Sequence, residues 1–178
     1  GVAPLAHPLD ELVALHRVVR VGGLVVRGAV ALRDGRATVF LGSSNTPSDP
    51  SRGRVPSDGP QRLAGDRFAI VPTDDGARLL TAPWNASEPV SRARPRVDCF
   101  HVVAPSHAVV AERLGRDDAV TALLEHAVAP VYDECCADRL FDAAARLCDA
   151  VPSLRVGLPE ARRVPSLGWG QGWHAGTR

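Results

Sequence analysis

The side chains able to do chemistry are few, and their spacing removes several mechanisms at once. Four cysteines (Cys99, Cys135, Cys136 and Cys148) and six histidines (His7, His16, His101, His107, His126 and His174) are scattered along 178 residues. No CxxC or HxxxH pair occurs, so the set of about four N/S ligands that a zinc site needs is not assembled. A serine hydrolase needs its nucleophile on a strained turn of the G-x-S-x-G kind, which Gly42-Ser43-Ser44 does not supply. All 21 basic residues are arginines and there is no lysine. Any step that requires an ammonium, a Schiff base or a phosphate-binding lysine is therefore excluded within the chain. The arginines do offer forks for carboxylate or phosphate, most densely at Arg92, Arg94 and Arg96 in SRARPR. That stretch equally suits a solvated loop rim in an arginine-rich chain. The remaining candidates are Trp169 and Trp173 on the glycine-rich backbone GWGQGWHAGTR. Paired tryptophans of this kind anchor a partner surface or fold back over their own core edge.

The length suits one domain with a true core. Apolar residues make up 45% and charged residues 23%, the balance of a soluble globular protein. A formal net charge of +1 gives no global field to recruit nucleic acid. No apolar run approaches the roughly 20 residues of a membrane span. The cysteine spacing is no disulfide framework, so a reduced, cytoplasmic protein is expected. Cys136 and Cys148, in an expected helix, read as small buried hydrophobes.

The N-terminal half reads as strands. Residues 16–31 are β-branched and broken by Gly22-Gly23, which suggests a bend or hairpin. Asp34-Gly35 is a tight-turn signal between strands of about 27–33 and 36–41. A second hairpin runs RFAIVP, Asp74-Asp75-Gly76, ARLLTAP, and a further strand is expected at 97–105. The C-terminal half turns helical. Asp117 and Asp118 suit a helix cap, ahead of Ala119, Leu123, Leu124 and Ala127, with Pro130 as the stop. A longer helix of about 132–150 carries Leu140, Phe141, Ala144, Leu147 and Cys148 at 3–4 spacing, and a strand at 153–158 follows. Between the halves, residues 42–62 (GSSNTPSDPSRGRVPSDGPQR) read as an exposed loop. Two units follow: a domain over 1–158 and a Gly/Trp-rich C-terminal tail over 159–178.

The order strand, DG turn, strand, Gly-rich loop (VVRGAVALRDGRATVFLG), then LAGDRFAIVPTDDGARLLTAPW, then helices and VPSLRVGL, resembles the HPr kinase/phosphorylase-like family. That family is related in fold to phosphoenolpyruvate carboxykinase, and the likeness covers about residues 15–158. It implies an α/β domain with a mixed or antiparallel sheet and C-terminal helices, and a phosphate-binding loop opening at Gly42. Against the pattern G-x-x-x-x-G-K-[ST], the chain has Gly42-Ser43-Ser44-Asn45-Thr46-Pro47-Ser48-Asp49. Pro47 removes an N–H donor, Ser48 stands at the lysine position, and Asp49 replaces the Mg-binding hydroxyl. Two like charges ~4 Å apart repel by about 4 kcal/mol at an effective dielectric of about 20, so Asp49 opposes a polyphosphate. The helix that should follow the loop is lost, because Pro50, Pro56 and Pro60 each cost roughly 3 kcal/mol inside one. The family's paired carboxylates are halved to Gly65-Asp66, leaving Asp66 as a vestigial candidate that also reads as a turn residue. The family's upstream histidine is matched by Arg27.

The resemblance thus implies a degenerate, non-catalytic relative with no cofactor and only a vestigial loop of Gly42, Ser43, Ser44, Ser48 and Asp49. Such a protein would bind a protein partner or scaffold a larger assembly, with Trp169 and Trp173 as contacts. The alternative is an ATP-dependent serine kinase acting on a protein, a peptide or free serine, with a cation borrowed from Arg52, Arg54, Arg62 or a partner.

Overall fold

Helix α1, Leu9–Arg20, occupies the start of the stretch whose β-branched residues suggest a strand. Burial of Leu15, Val18 and Val19 decides the matter, since a 3–4 spacing is a helical face. Asp10 and Glu11 in the first turn and Arg17 and Arg20 in the last complement the helix dipole. The Gly23 N–H donates to the Val18 carbonyl and the Gly22 N–H to Val19, with Gly22 at φ 75°. This is a Schellman closure, which requires the positive φ that glycine allows. Gly22-Gly23 is therefore a helix stop and not a hairpin. The computed structural model describes residues 9–42, 61–63, 67–80, 94–108, 110–129 and 135–158.

Strands β1 (Leu24–Arg33) and β2 (Arg36–Leu41) form the first hairpin. Asp34 at φ 51° and Gly35 at φ 74° make the two-residue turn that the DG pair predicts. β3 (Gln61–Leu63) and β4 (Arg67–Thr73) lie along the other edge of β1, in registers that differ by one residue. The expected loop of 42–62 thus stops short of Gln61. The edge of β1 carries backbone groups that need partners, and Gln61–Leu63 supply them. β4 turns through Asp74-Asp75 into β5 (Gly76–Leu80). β6 (Arg96–Pro105), β7 (Val110–Arg113) and β8 (Ser153–Leu158) complete the strands.

The result is an α/β protein with a mixed, mostly antiparallel sheet. Seven strands run in the order β2-β1-β4-β5-β6-β8-β7, with short β3 beside β1. β2 also pairs in parallel with β6, and β5 meets β6 through the single pair Arg78↔Arg96. The pairing therefore returns on itself through β1, β4, β5, β6 and β2. Alternate residues of these strands meet in one cluster: Leu24, Val26, Val39, Phe68, Leu79 and Phe100 are fully buried there. Burying a side chain of this size contributes about 1.5–3 kcal/mol.

Helices α2 (Arg116–Glu125) and α3 (Cys135–Ala150) pack into the same cluster, α3 through Leu140, Ala143, Ala144 and Leu147. Three helix details depart from the sequence reading. Gly115 is the N-cap of α2 and makes no side-chain cap, so Asp117 and Asp118 act only through the dipole of the first turn. α2 ends at Glu125, before Ala127 and Pro130, because residues 126–128 pair with β1: Arg27 N–H donates to His126 O (2.8 Å) and Val128 N–H to Val25 O (2.7 Å). Phe141 is 55% exposed and lies off the buried stripe of α3. Cys136 is buried as a free thiol, as expected for a small hydrophobe, and Cys148 is half-buried. No described helix is long and apolar enough to cross a membrane. The tail over 159–178 and most of the loop, residues 43–60, lie outside the described residues.

Candidate functional site

Strands β2, β6 and β8 are mutually parallel and end at Leu41, Pro105 and Leu158. Ligands of α/β sheets sit beyond such carboxyl ends, and the chain at Gly42 leaves β2 there. A side chain at Gly42 would meet Val103 Cβ at 3.5 Å, ordinary contact, so packing does not demand glycine at this point. Two nearby glycines differ. A Cβ at Gly28 would lie 2.1 Å from the Phe40 carbonyl oxygen, where the edge of β1 passes from residues 126–128 to β2. One at Gly157 would lie 2.7 Å from Ser106 Cβ, where the chain leaving β6 lies against β8. Ser106 Oγ accepts from the Ala108 N–H at 3.4 Å. Of the loop, carboxylate and tail residues predicted as a site only Gly42 is placed. Ser43, Ser44, Ser48, Asp49, Asp66, Trp169 and Trp173 lie outside the described residues, as does Arg92.

Two groups of β6, His101 and Cys99, are held in their neutral forms. His101 stacks edge-on against Phe40, with ring centroids 5.0 Å apart, and burial lowers its imidazole to about 4. Burial, helped by the adjacent Asp98 carboxylate, pushes the Cys99 thiol up to about 12. On α3, burial and the neighbouring Asp149 carboxylate push Cys148 up to about 11. A thiol is nucleophilic only as thiolate, so neither sulfur is an activated nucleophile near neutral pH. Among the described residues no three His, Cys, Asp or Glu side chains converge as metal ligands.

The opposite, amino-terminal end of β2 and β6 is built from charge. Arg33 faces Arg36 across the first hairpin, Arg36 faces Arg96 across the β2–β6 pair, and Arg96 faces Arg78 across the β6–β5 contact. Directly opposed residues project from the same side of a sheet. The flanking Ala37, Ala77, Leu79 and Val97 are buried in the core, so the four arginines share the outer side. Arg36 donates to Asp98 Oδ1 at 2.9 Å. Arg78 pairs with Asp75, whose carboxyl is held below its usual range by a hydrogen bond from Thr73 and by Arg78. Asp34 stands 3.7 Å from Arg33, beyond hydrogen-bond reach. Arg96 has no acidic partner among the described residues, and its guanidinium lies over Gly76, 3.3–3.6 Å from where a Cβ would be.

Sequence reasoning singled out Arg96 and Arg94 but missed Arg33, Arg36 and Arg78. The available signal was an arginine at or just beyond each hairpin turn, in R-D-G-R and D-D-G-A-R. No protein-family model matches the chain, and no curated protein matches it either.

Proposed function

We propose that the chain is a non-catalytic HPr kinase-like protein that serves as a binding or scaffold subunit of a larger assembly. The observation that carries this reading is the complete absence of lysine among 21 basic residues. It is joined by a loop that has Pro47, Ser48 and Asp49 at the positions of glycine, lysine and hydroxyl. A triphosphate in such a loop meets one fewer N–H, no ammonium and an added carboxylate. A strand leading into Gly42 beside a parallel neighbour is compatible with the resemblance. The neutral His101, Cys99 and Cys148 supply no poised acid, base or nucleophile in its place. The partner contact falls to Trp169 and Trp173, whose large apolar area suits anchoring.

Calorimetric titration with Mg-ATP tests the reading. The expected result is no saturable heat up to about 1 mM, a binding free energy weaker than about 4 kcal/mol. Micromolar binding, or transfer of labelled phosphate from ATP to a serine acceptor, overturns it in favour of a kinase.

A further inference from the structure

The arginine row at the amino-terminal end of β2 and β6 is unusual because like charges directly opposite one another destabilise a sheet. Here the arrangement recurs three times in succession, Arg33↔Arg36, Arg36↔Arg96 and Arg96↔Arg78. The row is relieved in part by carboxylates from its own surroundings. Asp98 takes Arg36 and Asp75 takes Arg78. The two remaining positions are open: Asp34 is 90% exposed and only within 3.7 Å of Arg33, and Arg96 is exposed with no acidic partner among the described residues. Arg94, also exposed, precedes Arg96 by two residues.

We propose that this row docks an acidic segment of a protein partner, whose carboxylates fill the open forks of Arg33 and Arg96. Spacing and charge pattern select that occupant. Neighbouring strands lie about 4.8 Å apart, so Arg33 and Arg96, two strands apart, stand roughly 10 Å from each other. In a polyproline II segment, with three residues per turn and a rise of about 3.1 Å, acidic residues three apart lie on one face about 9 Å from each other, which matches. Arginine's planar fork donates bidentately to a carboxylate, whereas a continuous polyphosphate laid along the row would run over Asp34, Asp98 and Asp75 as well. A net charge of +1 adds no long-range attraction to hold a nucleic acid there. The proposal rests on the binding-subunit reading and deepens it by naming the chemistry of the partner.

The test uses the full chain and a short fluorescent peptide with glutamate at every third position in a Gly/Ser background. Fluorescence anisotropy at low salt should show saturable binding that weakens about tenfold in Arg96→Gln and in Arg33→Gln, the worth of one charge-assisted hydrogen bond each. Arg116→Gln removes the same charge from a site paired with Asp149 elsewhere on the molecule, and should change binding less than about twofold. Circular dichroism of each exposed-site variant confirms that the fold is kept. The proposal is overturned by failure of the peptide to bind, by equal losses in Arg116→Gln, or by inorganic phosphate or oligothymidylate binding as tightly as the peptide. Titrating the same samples with Mg-ATP separates the two conclusions. Peptide binding together with ATP binding keeps the docking surface and removes the non-catalytic reading; loss of peptide binding alone does the reverse.

Discussion

The two ends of the β2–β6 pair are made from opposite materials. At the carboxyl end, where family resemblance directs attention, the described residues are small or apolar: Gly42, Val103, Ser106 and Gly157, with His101 neutral against Phe40 just inside. At the amino end, four arginines from four strands stand in one register row with aspartates between them. The same two strands carry both ends, so the difference is not one of fold. It shows that the position of a site in a topology and the chemistry actually built there are separate questions, and that the second must be read side chain by side chain.

The largest effect that would sharpen this contrast separates two glycines at the carboxyl end. Gly28→Ala puts a methyl 2.1 Å from the Phe40 carbonyl oxygen, a backbone atom that moves only if the β1–β2 pairing opens. The expected loss is about 3 kcal/mol or more, roughly 6–12 °C in Tm for a chain of this size. Gly42→Ala meets only Val103 Cβ at 3.5 Å and has no positive φ, so it should be neutral or stabilise by up to about 1 kcal/mol. Thermal denaturation of the two variants decides. A Gly42→Ala variant as unstable as Gly28→Ala would show that the carboxyl end is as tightly constrained as the hairpin itself.

A second prediction uses the imidazole inside that end. His101 is held near 4 in the folded protein, against an ordinary value of 6.5. Between these values the unfolded chain binds a proton that the folded chain refuses, so stability rises with pH across the window. The contribution is complete above about pH 6.5 and is lost as the pH falls toward 4, by up to roughly 3 kcal/mol. Urea denaturation at pH 7.5 and pH 4.5 should show this drop in the wild type and a smaller one in His101→Phe. Equal drops in the two proteins would mean that other groups govern acid sensitivity and that His101 is not buried neutral.

How much of this is legible in the sequence follows from which interactions are local. Asp34-Gly35 and Asp74-Asp75 fix their hairpins with nearest-neighbour chemistry, and α3 and β8 announce themselves by period and by Pro152. The end of α1 reads as a strand because Val18 and Val19 are β-branched and lead into the valines after Gly23; burial of Leu15, Val18 and Val19 on one face makes it a helix. β7 has four exposed residues and no alternation, so it carries no signal until β8 offers it an edge. The arginine row is the extreme case. Arg33, Arg36, Arg78 and Arg96 become neighbours only through the parallel β2–β6 register and the β5–β6 contact, which no local pattern encodes. The stretch after Gly42 is the converse: its likeness to a phosphate-binding motif is read from sequence alone, and Ser43 to Asp49 lie outside the described residues.

The smallest effect is the most diagnostic for the amino end. If the row is held for binding, it should cost stability in the absence of a partner, since function and stability commonly oppose each other. Arg96 faces Arg36 on one side and Arg78 on the other, and has no carboxylate of its own among the described residues. Arg96→Gln removes both repulsions and breaks no described ion pair, so it should stabilise the chain by about 0.5 kcal/mol at low salt. Mobile ions already screen charges about 8–10 Å apart at 0.10–0.15 M salt, so the gain should shrink steadily as salt is raised toward 1 M. Arg116→Gln is the counter-case, because Arg116 makes two hydrogen bonds to Asp149 and its removal should give no gain. Denaturant midpoints for both variants at low and high salt read the difference directly. A destabilised Arg96→Gln would mean that its guanidinium already has a partner within the chain, and the opening for a foreign carboxylate would close.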